Sequence, residues 1–523
     1  MFKFTASAPN SPFLIPKPEP IQTLDIELII LICEQLQFAT YMALDRQLRT
    51  KEHLAYRKGL LSFGLTSKAF LEPALNVLWR TMSTVEPLLS VLPETSVVDG
   101  QKILVKQIGK KSWTRLRFYT SRVEKFDQRF LAETEESRIH YSVYARLGQM
   151  QPIFPALKEF HPSISISSSN SLMFFLSGTT SIASLPAMPA VKGNLDEGTD
   201  FGPSLALLAW KVPRLTSLHL HSQARYSGFT GSVACFSELQ EVEVLRLSYY
   251  DSDFIRGLSS LKKLSYLKLT LPSKTLLDFT GIIDGFPSIK KLRVAGSPPE
   301  LNKVLKLMPV SVLNDLRLSC DLDAVEEKRT GMLDLTKSLG RFSSLSTLEI
   351  VTVSEVDLNS PDSQFLWSLF APLLRLKSLR QLSYDVPLFL TDQKTAEMAE
   401  AWPEMENLAL ISDTWGKGIP SIESLANFTK HCPKLKNLEY PVQLNFDSPP
   451  SFPSPTLSSH PLRNFRCILY DDVQDPVVIA LHLYQIFPGL KWADGPGKRW
   501  DEVQKVLSAF IFLSEQDRHP SLT

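Results

Sequence analysis

Residues 213–220, Pro-Arg-Leu-Thr-Ser-Leu-His-Leu, decide the fold because their pattern recurs along the chain. The pattern is L-x-x-L-x-L, and several copies follow an aromatic residue or Cys and then Pro. In its second half, apolar residues alternate with others, as in Leu218-His219-Leu220. This alternation is typical of a strand with one buried face. In one isolated segment these leucines would indicate an ordinary buried strand. It is their repetition that predicts an architecture.

The copies recur at regular intervals. Their first apolar positions lie at 157, 215, 242, 264, 289, 313, 345, 379, 405, 435, 462 and 490. After a first gap of 58 residues the steps run from 22 to 34, close to the leucine-rich-repeat period of roughly 20–29. Each unit predicts a short strand in a parallel sheet and a return through a helix or loop, with the leucines in one continuous core. Strand spacing between 158 and 212 is unclear from the pattern, and residues 163–171 indicate a loop.

Composition excludes several classes of protein. The chain has 523 residues, 44% of them hydrophobic, and its 56 Lys and Arg nearly balance 55 Asp and Glu. A net charge of +1 argues against nucleic-acid binding through bulk charge. No apolar run reaches the roughly 18 residues that a membrane span needs. Five cysteines without C-x-x-C spacing predict buried thiols in a reducing compartment.

No motif for catalysis or cofactor binding is present. The chain has no phosphate-binding glycine loop, no H-E-x-x-H and no G-x-S-x-G. His219 and His221 would share a strand face, but no third metal ligand is nearby. We therefore expect no catalytic residues, no metal and no cofactor, and a protein that is not an enzyme.

The N-terminal region has a different character. Residues 1–20 are rich in Pro and predict an extended leader. Residues 21–36 then carry aliphatic side chains at helical spacing. Leu61, Leu65 and Phe70 predict a second helix, which Pro73 is expected to break, and a third helix is expected from Ala74 through Trp79.

These segments resemble the F-box. The similar residues are Leu24-Asp25-Ile26-Glu27 with spaced aliphatics, then Ser67-Lys68-Ala69-Phe70, then Leu78-Trp79. Asp25 stands where the family has Pro, and residues 38–59 resemble an insertion. A W-x-x-L-x-x-Y-x-x-R-V string from Trp113 to Val123 is similar to one that follows the F-box in large fungal F-box families.

The later repeats resemble the same fungal families through Ala401-Trp402-Pro403 and Cys432-Pro433-Lys434-Leu435. The expected fold class is α/β, a three-helix F-box followed by an irregular leucine-rich-repeat solenoid in a horseshoe. The expected domains are a leader (1–20), an F-box-like region (21–82), a connecting helical and basic segment (83–150), the repeats (151–495), and a capping helix with a tail (496–523).

The resemblance implies a substrate-recognition subunit of a cullin–RING ubiquitin ligase. Its F-box would bind a Skp-type adaptor, and through it cullin, and its repeats would bind an unknown target protein. The expected adaptor-binding residues are Leu24, Asp25, Glu27, Leu28, Ile32, Leu36, Leu61, Leu65 and Phe70. The residues between the strand leucines would bind the target: Ser217, His219, His221, Arg246, Tyr249, Lys268, Arg293, Arg317 and Glu349.

Two other interpretations stay open. Asp25 and the insertion favour a leucine-rich-repeat scaffold with a degenerate F-box and no ligase role. Residues 100–123 carry seven Lys and Arg and no acid, which is either a nucleic-acid stripe or, as we expect, a solvated helix face. We expect a cytoplasmic or nuclear protein without membrane attachment.

Overall fold

A computed structural model describes most of the chain. The described residues are 26–41, 57–128, 139–148, 152–162, 175–186, 202–221, 232–245, 252–271, 285–321, 325–352, 363–411, 418–444, 460–469 and 473–518. The predicted leader, the loop at 163–171, and Arg246 and Tyr249 lie outside them. The chain divides into a first unit, Met1–Val143 with Ile153–Leu157, and a second unit, Tyr144–Pro152 with Lys158–Thr523.

The first unit is mainly helical. Its helices are α1 (Ile26–Tyr41), α2 (57–66), α3 (Lys68–Arg80), α4 (Glu86–Leu89) and α5 (Lys110–Thr120). Its strands are β1 (Thr81–Met82), β2 (Thr95–Val98), β3 (Gln101–Leu104) and β4 (Lys125–Asp127). β1 and β4 pair in parallel, whereas β2 and β3 form a hairpin. Asp99 and Gly100 both have positive φ, as a two-residue hairpin turn of type I′ requires.

The break between the second and third helices lies at Ser67, not at Pro73 as the sequence had indicated. Ser67 has an extended backbone, and its hydroxyl accepts a hydrogen bond from the Ala69 amide, so it caps α3. Pro73 lies inside α3. It removes only the one hydrogen bond that its own amide would have donated to the Ala69 carbonyl. A cap at Ser67 therefore sets the boundary.

The second unit contains a parallel sheet in which the strands follow one another in chain order. Each strand from β5 to β17 pairs in parallel with the next. The strands are β5 (Glu159–His161), β6 (Ile182–Pro186), β7 (Ser217–His221), β8 (Glu241–Leu245), β9 (Tyr266–Thr270), β10 (Lys291–Gly296), β11 (Asp315–Cys320), β12 (Thr347–Thr352), β13 (Gln381–Asp385), β14 (Asn407–Leu410), β15 (Asn437–Tyr440), β16 (Asn464–Cys467) and β17 (Trp492–Asp494). Sequential parallel order is the topology that the repeats predict.

Helices and 3₁₀ turns connect many of these strands. The helices are α6 (Tyr141–Gly148, which crosses the boundary between the units), α7 (Gly202–Lys211), α8 (Ser252–Ser259), α9 (Pro298–Lys306), α10 (Val325–Leu339), α11 (Ser363–Phe370), α12 (Asp392–Ala401), α13 (Ala426–His431), α14 (Pro476–Ile486) and α15 (Trp500–Arg518). The 3₁₀ turns are Ser232–Cys235, Ala371–Arg375 and Ile422–Leu425.

The repeated leucines form the core of the second unit. Leu215, Leu218 and Leu220 are fully buried, and the matching apolar residues of the later repeats are buried as well. The residues between them are less buried, so most strands alternate between a core face and an opposite face, which we call the open face. The L-x-x-L-x-L pattern therefore fixes both the strand and its orientation.

Two features of the register differ from the sequence interpretation. β6 is the strand that lies between residues 158 and 212, where the sequence pattern leaves the spacing unclear. Its Ala183 pairs with Phe160 on one side and with Leu218 on the other. Val242 pairs with Leu218 and Leu267, so it occupies the middle apolar position of its repeat and not the first. The first position belongs to the buried Leu239.

In three of the later repeats the aromatic or Cys residue before the Pro ends a helix. Trp402, Cys432 and Phe487 are C-caps of α12, α13 and α14, and their amides donate to carbonyls of the preceding turn. All three side chains are buried. Burial raises the pKa of the Cys432 thiol to about 12. Four cysteines are buried as expected, but Cys235 is exposed at the end of a 3₁₀ turn.

Helix α15 covers the last strand of the sheet. The Gln504 side chain accepts from the Ala493 amide at 2.7 Å and donates to the Lys491 carbonyl at 3.2 Å. It thus satisfies one donor of β17 and the carbonyl of the residue just before this strand, whose outer edge would otherwise be available for pairing with another chain.

Replacing Gln504 should loosen this edge. We expect Gln504→Ala to speed hydrogen exchange of the Ala493 amide and to lower local stability by about 1–2 kcal/mol, because both side-chain hydrogen bonds are lost. Hydrogen exchange resolved at peptide level measures both effects. The control is Gln35→Ala, the same change at an exposed position of α1. Unchanged exchange across β17 would contradict the capping role.

Candidate functional site

The helices of the first unit share a small core. Ile29 and Cys33 of α1 pack against Leu60, Ala74 and Val77. Phe63, Phe70 and Leu78 lie partly buried around this cluster. Ile29 and Cys33 are four residues apart, so a single face of α1 supplies this core.

A different face of α1 and one face of α2 carry exposed aliphatic side chains. Leu28, Leu31 and Ile32 are 45%, 50% and 38% exposed, and Leu61 and Leu65 are 43% and 70% exposed. Within each helix these residues are spaced by one turn and share a face. We call these five residues the apolar helical face. Exposed aliphatic residues spaced one turn apart on a helix are candidates for a binding surface.

The predicted adaptor-binding residues fall into three groups. Leu28, Ile32, Leu61 and Leu65 belong to the apolar helical face, and Glu27 is exposed on α1. The Phe70 ring instead stacks on Phe63 with 4.7 Å between centroids and packs against the core. Leu24, Asp25 and the Leu36 side chain lie outside the described residues. The site prediction omitted Leu31, although its spacing from Leu28 could have identified it.

The W-x-x-L-x-x-Y-x-x-R-V string joins α5 to α3. Tyr119 packs on Trp79 with 4.6 Å between ring centroids. Arg122 donates to the Glu72 carboxylate at 2.7 Å and to the Asn76 side chain. The Arg122 guanidinium also lies 4.4 Å from the Phe118 ring centroid. The string therefore holds the basic segment against the helical bundle.

The open face of the sheet brings together a row of charged residues. The strand register places Glu243, Lys268, Arg293, Arg317 and Glu349 side by side on β8 to β12. We call these residues the central row. Neighbouring strands lie about 4.8 Å apart. The three cations are therefore adjacent in space although they are far apart in sequence.

Acids pair with the outer cations of the central row. Lys268 lies 3.6 Å from a Glu243 oxygen, and Arg317 lies 3.0 Å from a Glu349 oxygen. Arg293 forms no ion pair within the described part of the chain, and its guanidinium lies 5.6 Å from the Tyr266 ring centroid. The middle of the row therefore presents a cation on an aromatic ring, flanked by further positive charge.

Tyr266 and Glu243 are the members of this surface that the site prediction missed. The Tyr266 hydroxyl donates to the Glu243 carboxylate at 3.1 Å. Burial and the adjacent Glu243 carboxylate raise the pKa of Tyr266 to about 12. Strand alternation in β9 could have identified Tyr266, and assigning Val242 to the middle apolar position would have identified Glu243.

The other predicted target-binding residues lie elsewhere. Ser217 is buried, and its hydroxyl hydrogen-bonds to His219 at 3.1 Å. His219 lies beside His161, with 6.3 Å between ring centroids. The His221 side chain, Arg246 and Tyr249 are not among the described residues. No group of three or more His, Cys, Asp or Glu in the described ranges is placed to hold a metal ion.

An asparagine ladder lies further along the open face. Asn407, Asn437 and Asn464 are in register on β14 to β16. The Asn437 amide donates to Asn407, and the Asn464 amide donates to Asn437. Each of these residues begins its strand. Because they are far apart in sequence, they could be linked only through the strand register. The ladder extends the polar character of the open face beyond the central row.

Comparison with known proteins finds similarity among solved structures. No protein-family profile matches the chain, and no curated protein does. The structure is similar to an internalin (inlF) from Listeria monocytogenes, with 14% identity over 63% of this chain and 79% of that one, at a TM-score of 0.30. It is also similar to the leucine-rich repeat-containing protein LegL7 from Legionella pneumophila, with 15% identity over 65% and 94% and a TM-score of 0.29.

The repeat architecture therefore rests on the register of the sheet and on its buried leucines. Helix α15 is the longest of the described helices, and neither it nor another one has the length and apolar character that crossing a membrane requires.

The Tyr266 hydroxyl offers a direct test of the central row. Because its pKa is raised, this group contributes stability that is full below pH 10 and is lost as the pH rises through about 12. We expect Glu243→Gln to lower the Tyr266 pKa, since the adjacent negative charge is removed. NMR titration with ¹³Cζ-labelled tyrosine measures this pKa, and Tyr266→Phe assigns the signal. Glu439→Gln, on the same face at β15, is the control. An unchanged Tyr266 pKa in Glu243→Gln would contradict the contact.

Proposed function

We propose that this chain is a substrate-recognition subunit of a cullin–RING ubiquitin ligase. In this proposal the first unit binds a Skp-type adaptor, and through it cullin, while the open face of the second unit binds the target protein. The observation that carries it is the apolar helical face. It lies on the segments that resemble the F-box, and no described residue buries it.

Covering the apolar helical face would lower the free energy of the chain. Removing apolar surface from water contributes about 25 cal/mol per Å². Much of the apolar helical face stays in water when the unit folds, since Ile29 and Cys33 supply the core of the unit. A partner that covers Leu28, Leu31 and Leu65 gains this free energy on binding. Helices that present aliphatic residues one turn apart are suited to a hydrophobic groove.

The target would bind on the open face of the sheet. Strand residues between buried leucines have a rigid backbone, so their side chains are positioned before binding. Arg293 over Tyr266 combines two residue types that are enriched at binding hot spots. The central row and the asparagine ladder provide charge and hydrogen-bonding groups around them.

The chain itself would perform no chemistry. Its contribution to ubiquitin transfer would be to hold a target close to the catalytic subunits, which raises the effective concentration of the target lysine. We accordingly propose no catalytic residue, cofactor or metal in it. We propose that it works in the cytoplasm or nucleus, where the resemblance places ligases of this type.

A protein-interaction scaffold is the second candidate. The parallel repeat sheet supports such a function without any adaptor. Two observations favour it: Asp25 stands where the F-box family has Pro, and Phe70 packs inward on Phe63 and not on the exposed face. In this case the apolar helical face would bind a partner other than the Skp-type adaptor.

Co-purification with the adaptor distinguishes the two candidates. We expect the full chain to form a one-to-one complex with a Skp-type adaptor, and Leu28→Asp with Leu65→Asp to abolish it, because a carboxylate would have to be buried in the interface. Both residues are exposed, so the variant should stay folded, and circular dichroism checks this.

The matched control places the same change on exposed aliphatic residues of the second unit. Val477 and Leu513 are 52% and 57% exposed on α14 and α15. We expect Val477→Asp with Leu513→Asp to leave the complex intact. If the folded native chain forms no complex with the adaptor, the ligase proposal is wrong and the scaffold remains.

A further inference from the structure

Helix α5 has an inner side whose contacts are satisfied within the first unit. Leu116 and Thr120 are buried, and Tyr119 packs on Trp79. At the start of the helix, the Glu94 carboxylate accepts from the Gly109 amide and from the Ser112 hydroxyl. The inner side and the N-terminal end of α5 therefore need no further partner.

The outer side of α5 is strongly basic. Lys110, Lys111, Arg115 and Arg117 are exposed there, together with the Phe118 ring. None of these four cations forms an ion pair with a described residue. Two other cations of the same segment differ, since Lys102 pairs with Glu86 at 2.6 Å and Arg122 with Glu72 at 2.7 Å. The Lys106 charge acts on the Glu94 carboxylate, whose pKa is lowered. We call the outer side of α5, with its four cations that lack such partners among the described residues, the basic helix face.

Phe118 lies within this face. Around the helix axis, at 100° per residue, its direction falls between those of Thr114 and Arg115 and next to that of Lys111. Its ring is 43% exposed. The ring contacts Tyr119 edge-on and lies below the Arg122 guanidinium. An exposed aromatic ring among unpaired cations offers an apolar contact inside a region of positive charge.

The arrangement is unfavourable in the isolated chain. Lys111 and Arg115 are four residues apart, and like charges at this spacing destabilise a helix by about 0.2–0.5 kcal/mol. Removing Phe118 from water would also be favourable. An anionic partner with an apolar residue would relieve both costs.

We propose that the basic helix face binds an acidic α-helical segment of another protein. Four cations lie within roughly 10 Å of helix length, at 1.5 Å per residue. A helix with acids at positions i, i+3, i+4 and i+7 presents carboxylates at the same density over the same length. An aliphatic residue among those acids would contact Phe118.

A nucleic-acid strand fits this face less well. Proteins that hold single strands without sequence preference do so in a basic groove that follows the backbone over several nucleotides. The basic helix face is the outside of one short helix, and the chain as a whole has a net charge of only +1. This binding surface is separate from the apolar helical face, so it does not depend on the proposed ligase function.

The test uses the full chain and a synthetic probe. The probe is a fluorescein-labelled helical peptide of about 20 residues, with Glu at i, i+3, i+4 and i+7 around a Leu and Ala elsewhere. Binding is followed by fluorescence anisotropy over a salt series. We expect binding that weakens as salt rises, since exposed charges are screened.

Three variants decide where the probe binds. We expect Arg115→Glu with Arg117→Glu to weaken binding by roughly tenfold or more, since attraction becomes repulsion. The control, Lys290→Glu with Lys430→Glu, reverses two exposed cations of the second unit and changes the net charge equally. It should bind as the native chain does. Phe118→Ala should weaken binding to the Leu-containing peptide and not to one with Ser at that position.

Three outcomes would overturn the proposal. One is no detectable binding of the peptide by the native chain. Another is an equal loss in the control variant, which would indicate non-specific attraction. The third is tighter binding of a single-stranded oligonucleotide of about 20 nucleotides that is lost in the Arg115 and Arg117 variant, which would make this a nucleic-acid surface.

Discussion

Parallel pairing in chain order is the constraint on which the second unit depends. A single strand such as Ser217–His221 cannot bury its own leucines, because a lone strand has no layer to pack against. Each neighbour adds leucines to the same core face and satisfies backbone hydrogen bonds along one edge. The connections can then vary in length, since only the register of the strands has to be kept. This freedom explains why the repeat interval changes by more than ten residues along the chain without interrupting the sheet.

The same constraint creates the open face. If alternate residues must enter the core, the residues between them must point the other way, and register places them in rows across the sheet. Lys268, Arg293 and Arg317 are each about one repeat apart in sequence and become neighbours for this reason. Glu243 and Glu349 flank the three cations, so the row is compensated at its ends and most positive in the middle.

The sequence predicts the elements that depend on local burial of large aliphatic residues. It does not predict those that depend on pairing with neighbouring strands. The L-x-x-L-x-L copies predicted strands and their core face correctly, because burial of large aliphatic residues dominates the local choice. β6 was not predicted, since Ile-Ala-Ser-Leu has small residues where other repeats have leucine and becomes a strand through its neighbours. Val242 was assigned to the wrong position because Glu-Val-Glu-Val-Leu fits the pattern in two registers. Only pairing with Leu218 and Leu267 distinguishes them.

The candidate surfaces were harder to predict than the strands, because the distinction between core and surface is made by tertiary packing. Helix α1 is aliphatic on almost every side between Leu28 and Cys33, a pattern typical of a helix buried all round. Among the described side chains of α1, Ile29 and Cys33 are the ones that pack in the core, while Leu28, Leu31 and Ile32 stay exposed. Phe70 shows the opposite case, since a residue that resembles part of a binding motif stacks inward on Phe63. The exposed aliphatic residues of α1 are therefore the surface that a partner would cover under the proposed function.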